Sequence, residues 1–70
     1  MTKGFYTVPE ACERLRIGRS LLYRLFKTGE IIPCKVGSRA TRIAVHELER
    51  YEDVQYEAAR ERHRQEVDRR

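Results

Sequence analysis

The chain has 70 residues, of which 40% are hydrophobic and 37% are charged, and its formal net charge is +4. A chain of this length forms one domain with a thin core, because it buries only about 60% of the surface that its unfolded form exposes. Little room remains for a catalytic cleft beside the scaffold. No run of about 20 apolar residues, as a membrane helix needs, is present, and the first residues do not resemble a signal peptide.

The charge is unevenly distributed along the chain. Residues 1–43, the basic front, carry nine Lys and Arg against three acidic residues, whereas residues 44–70, the acidic back, carry six Arg against eight acidic residues. Such a separation predicts that a polyanion binds the basic front.

The residue types needed for catalysis or metal binding occur without a recognisable pattern. Cys12 and Cys34 are 22 residues apart and, with His46 and His63, form no metal-ligand spacing, so we expect two reduced cysteines and no metal. No nucleophile elbow and no phosphate-binding loop is present. We therefore expect no catalytic residues, no cofactor and no enzyme activity.

The first predicted helix begins after Thr7. Thr7 and Glu10 have the spacing of a capping box, and Pro9 is tolerated in a first helical turn. Apolar residues then recur at helical spacing, at Val8, Ala11, Cys12 and Leu15. Arg14 and Arg16 are expected to be solvated, with DNA contact as the alternative.

A second helix is predicted from Arg19 to about Thr28, after a break at residues 16–18 and before a stop at Gly29. Its apolar side consists of Leu21, Leu22, Leu25 and Phe26, with Leu21 at the border. Its opposite side presents Ser20, Tyr23, Arg24 and Lys27 at helical spacing.

Two short β-prone runs follow, Ile31–Val36 and Thr41–Ile43, and the intervening residues 37–40 predict a hairpin. Pro33 cannot donate to a strand ladder, so its strand is expected at an edge. A third helix should begin near Ala44 or Val45, with its core positions at Val45, Leu48 and Tyr51. Residues 55–70 are expected to form a charged tail that is helical or disordered, outside a domain of residues 1–54.

These elements predict a mainly α fold with a small β-hairpin, a winged helix-turn-helix. A helix of about 10–12 Å diameter fits the major groove of DNA, which is about 12 Å wide. The second helix would contact double-stranded DNA through Arg19, Ser20, Tyr23, Arg24 and Lys27. The wing would contact it through Lys35, Gly37, Ser38, Arg39 and Arg42.

The same blocks resemble the excisionase-type helix-turn-helix family, which is related to the MerR winged helix. The resemblance is carried by Thr7-Val8-Pro9-Glu10-Ala11, Arg19-Ser20-Leu21-Leu22-Tyr23-Arg24-Leu25, Gly29-Glu30-Ile31, Lys35-Val36-Gly37-Ser38-Arg39 and Arg42-Ile43. It implies an excisionase in the cytoplasm of a bacterial host cell. Such a protein binds repeated sites in phage attachment DNA, bends the DNA and directs a tyrosine-recombinase integrase towards excision.

The chain departs from this family at two positions, with Arg16 where Gly is usual in the turn and Gly18 where Ser usually caps the second helix. The main alternative function is a small transcriptional regulator of the same fold. A protein-interaction module is disfavoured, because no apolar heptads follow Tyr51. Since one recognition helix reads only a few base pairs, we expect neighbouring copies to assemble head-to-tail on DNA.

Overall fold

The computed structural model describes residues 4–37 and 39–68. This part of the chain contains three helices and one three-stranded antiparallel sheet, and it confirms the predicted winged helix-turn-helix fold. The elements in chain order are β1 (Phe5–Thr7), α1 (Val8–Leu15), α2 (Arg19–Thr28), β2 (Cys34–Val36), β3 (Ala40–Ala44) and α3 (Val45–Asp68).

Helix α1 begins at the predicted capping box. Glu10 N–H donates to Thr7 Oγ1 at 3.2 Å, and Thr7 N–H donates to Glu10 Oε1 at 2.9 Å. These bonds satisfy two backbone donors that a helix start leaves free. The C-cap of the helix is Arg16, whose φ of 57° lies in the left-handed region where glycine is usual. The turn therefore keeps the glycine-type geometry although its residue is arginine.

The N-cap of helix α2 is Gly18, which supplies no side-chain hydrogen bond, and its C-cap is Gly29, with a φ of 82°. Its predicted apolar side is confirmed at Leu22 and Leu25, which are buried, while Leu21 at the border is 39% exposed.

The sheet has the strand order β1–β3–β2. Its hairpin, β2 and β3, was predicted, and Pro33 directly precedes the edge strand β2. Strand β1 was missed, because three residues show no alternation long enough to predict a strand. It pairs with β3 so that Tyr6 lies opposite Ile43.

The core joins all three helices to the sheet. Its buried members are Val8, Ala11, Leu22, Leu25, Ile31, Ile43 and Leu48. Burial of Leu22 and Leu25 fixes the rotation of α2, so the opposite side of that helix faces outward.

Helix α3 begins at Val45, as predicted, and continues far beyond the core. It has 24 residues and so a length of about 36 Å. Residues 53–68, hereafter the arm, are exposed throughout. Neither the arm nor any other helix of the described residues has the length and apolar character needed to cross a membrane.

Candidate nucleic-acid interface

The outward side of α2 carries the five predicted recognition residues, hereafter the recognition face: Arg19, Ser20, Tyr23, Arg24 and Lys27. All five are exposed. The Tyr23 ring lies edge-on against Phe26, with their centroids 5.3 Å apart, so a core-facing neighbour supports this aromatic side chain. The recognition face is thus a continuous surface set by the burial of the opposite side.

Every charged residue of the recognition face is positive. Residues 19–28 include no acidic residue. Within the described residues, the side chains of Arg19, Arg24 and Lys27 form neither an ion pair nor a hydrogen bond. An arginine in this state can donate two bonds to guanine O6 and N7, or bind phosphate.

The hairpin places further cations at a second exposed position. Lys35 lies opposite Thr41 in the ladder, and its Nζ donates to Thr41 Oγ1 at 2.9 Å. Gly37 has a φ of 68°, which suits glycine in the tight connection. Arg39 is exposed in the same connection. Ser38, also predicted to contact DNA, lies outside the described residues.

Arg42 differs from the other predicted wing residues because it lies in the central strand. It pairs with both Thr7 and Cys34, and it is half-buried. Its Nη1 donates to the Thr41 carbonyl at 2.9 Å. Since side chains alternate along a strand, Arg42 lies on the sheet face opposite buried Ile43. The structure thus separates Arg42 from the hairpin connection that carries Arg39.

A family model described as a helix-turn-helix domain matches residues 5–53. The chain belongs to this helix-turn-helix domain family. The matched region extends from β1 to the point where α3 leaves the core, and it contains both the recognition face and the hairpin. No curated protein and no solved structure matches the chain.

This helix-turn-helix domain is a DNA-binding domain, and its family includes excisionase-like small DNA-binding proteins. In its two-helix unit, α1 and α2 are joined by residues 16–18, and α2 is the second helix, which enters the major groove in such domains. The family assignment therefore points to the same helix that the exposed cations mark.

The sequence analysis missed the role of Arg14, which was expected to be solvated. Its guanidinium donates to both carboxylate oxygens of Glu52, at 2.9 and 2.8 Å, and to Tyr6 Oη at 3.2 Å. The hydrogen bond from Arg14 holds the pKa of Glu52 below its ordinary value. No spacing rule could reveal a pair 38 positions apart, and this pair ties α1 to α3.

Neither cysteine forms a disulfide, and both are half-buried. Among the residues that the structure describes, no three His, Cys, Asp or Glu side chains are close enough to hold a metal ion.

Proposed function

We propose that this helix-turn-helix protein acts as an excisionase on specific double-stranded DNA sites. The observation that carries the DNA-binding part is the exposed, acid-free recognition face, whose three cations have no ion-pair partner among the described residues. In this proposal Arg19, Ser20 and Arg24 contact base edges, and Tyr23 contacts a base edge or a phosphate. Lys27, further along the helix, contacts phosphate. Arg39, with Lys35, Gly37, Ser38 and Arg42, contacts the backbone from the wing.

Self-association on DNA would supply the specificity that one short helix lacks. A single α2 reads only a few base pairs, whereas a genome offers about 10⁶ or more competing sites. Weak contacts between neighbouring copies add to the binding of each. Asp53 and Glu57 support this step, because both are exposed, lie four positions apart on α3 and have no ion-pair partner within residues 4–37 and 39–68.

The proposed contact places Asp53 and Glu57 of one copy against the basic front of the next. The two surfaces differ, so the contact is head-to-tail and does not close into a dimer. A row of such copies bends the duplex, and a tyrosine-recombinase integrase uses the bent DNA for excision in the bacterial cytoplasm. The excisionase resemblance of residues 5–54 supports these last steps.

Two binding repeats on one DNA fragment test the arrangement. Copies on one face of the duplex recur about every 10–10.5 bp, so inserting about 5 bp between repeats rotates them apart. We expect cooperativity and bending to collapse while single-site affinity persists. Tight binding to one inverted repeat as a two-fold dimer, without bending, would favour the transcriptional regulator instead.

A double variant, Asp53→Ala with Glu57→Ala, tests the contact itself. It should lower cooperativity on adjacent repeats and leave single-site affinity unchanged or slightly higher. Glu66→Ala with Asp68→Ala is the matched control, since it makes the same change in net charge near the end of the arm. Equal loss of cooperativity in both variants would assign the effect to net charge and contradict the proposed contact.

A further inference from the structure

The segment of residues 29–33 connects the recognition helix to the wing, and α3 holds it through two hydrogen bonds. Ile32 N–H donates to Glu47 Oε2 at 2.9 Å, and Arg50 Nη2 donates to the Glu30 carbonyl at 2.7 Å. The segment is also anchored by Ile31, which is fully buried and donates its N–H to the Leu25 carbonyl at 3.2 Å.

The two side chains that hold the segment also hold each other. Arg50 donates to Glu47 Oε2 at 2.6 Å through Nη2 and to Oε1 at 3.2 Å through Nε. The Glu47 side chain is 18% exposed and that of Arg50 is 49% exposed. Each therefore limits the rotamers of the other, and the carboxylate is oriented towards the Ile32 N–H.

Without this pair, little would fix the chain between Ile31 and the wing. Ile32 is 62% exposed and contributes nothing to the core. Pro33 has no N–H to donate. Ile32 N–H is consequently the last backbone donor before β2 begins at Cys34, and Glu47 is its partner.

The position of α3 makes this contact relevant to DNA. Strand β3 of the wing continues directly into α3, because Ala44 is followed by Val45. The wing and α3 are thus covalently continuous, and the Glu47–Arg50 pair ties residues 29–33, which directly follow α2, to that unit. We propose that Glu47 and Arg50 are positioning residues that fix the wing relative to α2, so that both contact one duplex. The inference rests on the proposed DNA contacts of α2 and the wing.

A double-mutant cycle on DNA affinity tests this inference, using a duplex with the preferred site. In the wild type, Arg39→Ala should weaken binding roughly tenfold, as expected when a charged hydrogen bond is lost. In a Glu47→Ala background the wing is no longer held in place, so Arg39→Ala should weaken binding less than about twofold. Arg24→Ala should keep its full effect in both backgrounds.

Glu52→Ala is the matched control background. It removes the same charge from α3 and breaks an arginine pair, but its partner Arg14 lies on α1, outside the connecting segment. Arg39→Ala should therefore still cost roughly tenfold in that background. If Arg39→Ala weakens DNA binding by the same factor in the wild type, in Glu47→Ala and in Glu52→Ala, the positioning role is overturned.

Two further outcomes distinguish failure of the positioning role from failure of the proposed function. If Arg39→Ala has no effect in the wild type while Arg24→Ala weakens binding, the wing contact is wrong and the positioning role falls with it. If neither change affects binding, the proposed recognition surface itself is wrong. Arg50→Ala, at an exposed position, replaces Glu47→Ala if the latter does not fold, and the same loss of coupling is expected.

Discussion

Three arginines of α1 and α3 differ from those of the recognition face. Arg14, Arg50 and Arg64 each pair with a glutamate of α3. Arg19 and Arg24, in contrast, have no such partner within residues 4–37 and 39–68. The same residue type therefore has two roles in this small protein. Some arginines form ion pairs, between α1 and α3 for Arg14 and within α3 for Arg50 and Arg64, while others leave charge on the surface.

The difference follows from where the acidic residues lie. Helix α2 has none, whereas α3 carries glutamates along its length. An ion pair already formed must be broken before its arginine can bind phosphate, but an unpaired arginine exchanges only water and counterions. The recognition face, whose arginines have no ion-pair partner among the described residues, is thus the surface best suited to bind a polyanion.

The largest expected effect is that of salt on DNA affinity. If the unpaired cations of α2 and the wing neutralise about five phosphates, log K should fall with log salt concentration at a slope of about −4 to −5. Fluorescence anisotropy with a labelled duplex at several salt concentrations measures the slope. A slope near zero would contradict DNA binding through these cations.

Replacement of one unpaired arginine should have the next largest effect. Arg24→Ala should cost about 1–3 kcal/mol of binding free energy and relax the preference at one base-pair position. Arg64→Ala, which removes an arginine paired with Glu61 on the arm, is the control and should change affinity little. Gel shifts with matched and mutated sites measure the affinity of both variants. Equal losses of affinity would contradict the distinction between paired and unpaired arginines.

Much of the fold was predictable because its signals are local. The Thr7 capping box, the stop at Gly29 and the apolar spacing around Leu22 each involve residues within four positions of one another. The recognition face followed from the same helical spacing. Its exposure is consistent with the prediction, while contact of these side chains with DNA stays a prediction.

The features that were missed depend on contacts between distant parts of the chain. The short strand β1 forms only because β3 lies beside it. The bond from Ile32 N–H to Glu47 crosses 15 positions, and the Arg14–Glu52 pair crosses 38. Such pairings require the relative placement of helices and strands, which periodicity does not specify.

The Arg14–Glu52 pair should make stability depend on pH. The pKa of folded Glu52 lies below its ordinary value of 4.5, chiefly because Arg14 donates hydrogen bonds to it. The stabilisation is therefore complete above about pH 4.5 and is lost as pH falls through the lowered pKa. Because Glu52 is 38% exposed, we expect solvent screening to limit the effect to about 1 kcal/mol or less.

Urea unfolding of wild type and Glu52→Gln across acid pH measures this contribution. The variant should be less stable at neutral pH and should approach the wild type when Glu52 is protonated. A difference in the free energy of unfolding that stays constant with pH would show that the carboxylate charge contributes nothing.

The smallest expected effect concerns Arg16, an exposed arginine in the α1–α2 turn with no ion-pair partner among the described residues. Its left-handed backbone costs a residue other than glycine about 1–2 kcal/mol. Glycine removes that cost but gains entropy in the unfolded chain, so Arg16→Gly should stabilise the fold by at most about 1 kcal/mol. Thermal unfolding measures the change.

Arg16→Ala is the control, because alanine removes the guanidinium but keeps the Cβ atom that disfavours the left-handed conformation. If the Arg16 charge contacts DNA, both variants should weaken DNA binding by the same factor, and this factor should be smaller than for Arg24→Ala. Only the glycine variant should gain stability. Equal stability of the two variants would show that the turn carries no backbone strain. A gain in stability together with a loss of affinity would mean that the turn retains a strained arginine because its charge acts on DNA.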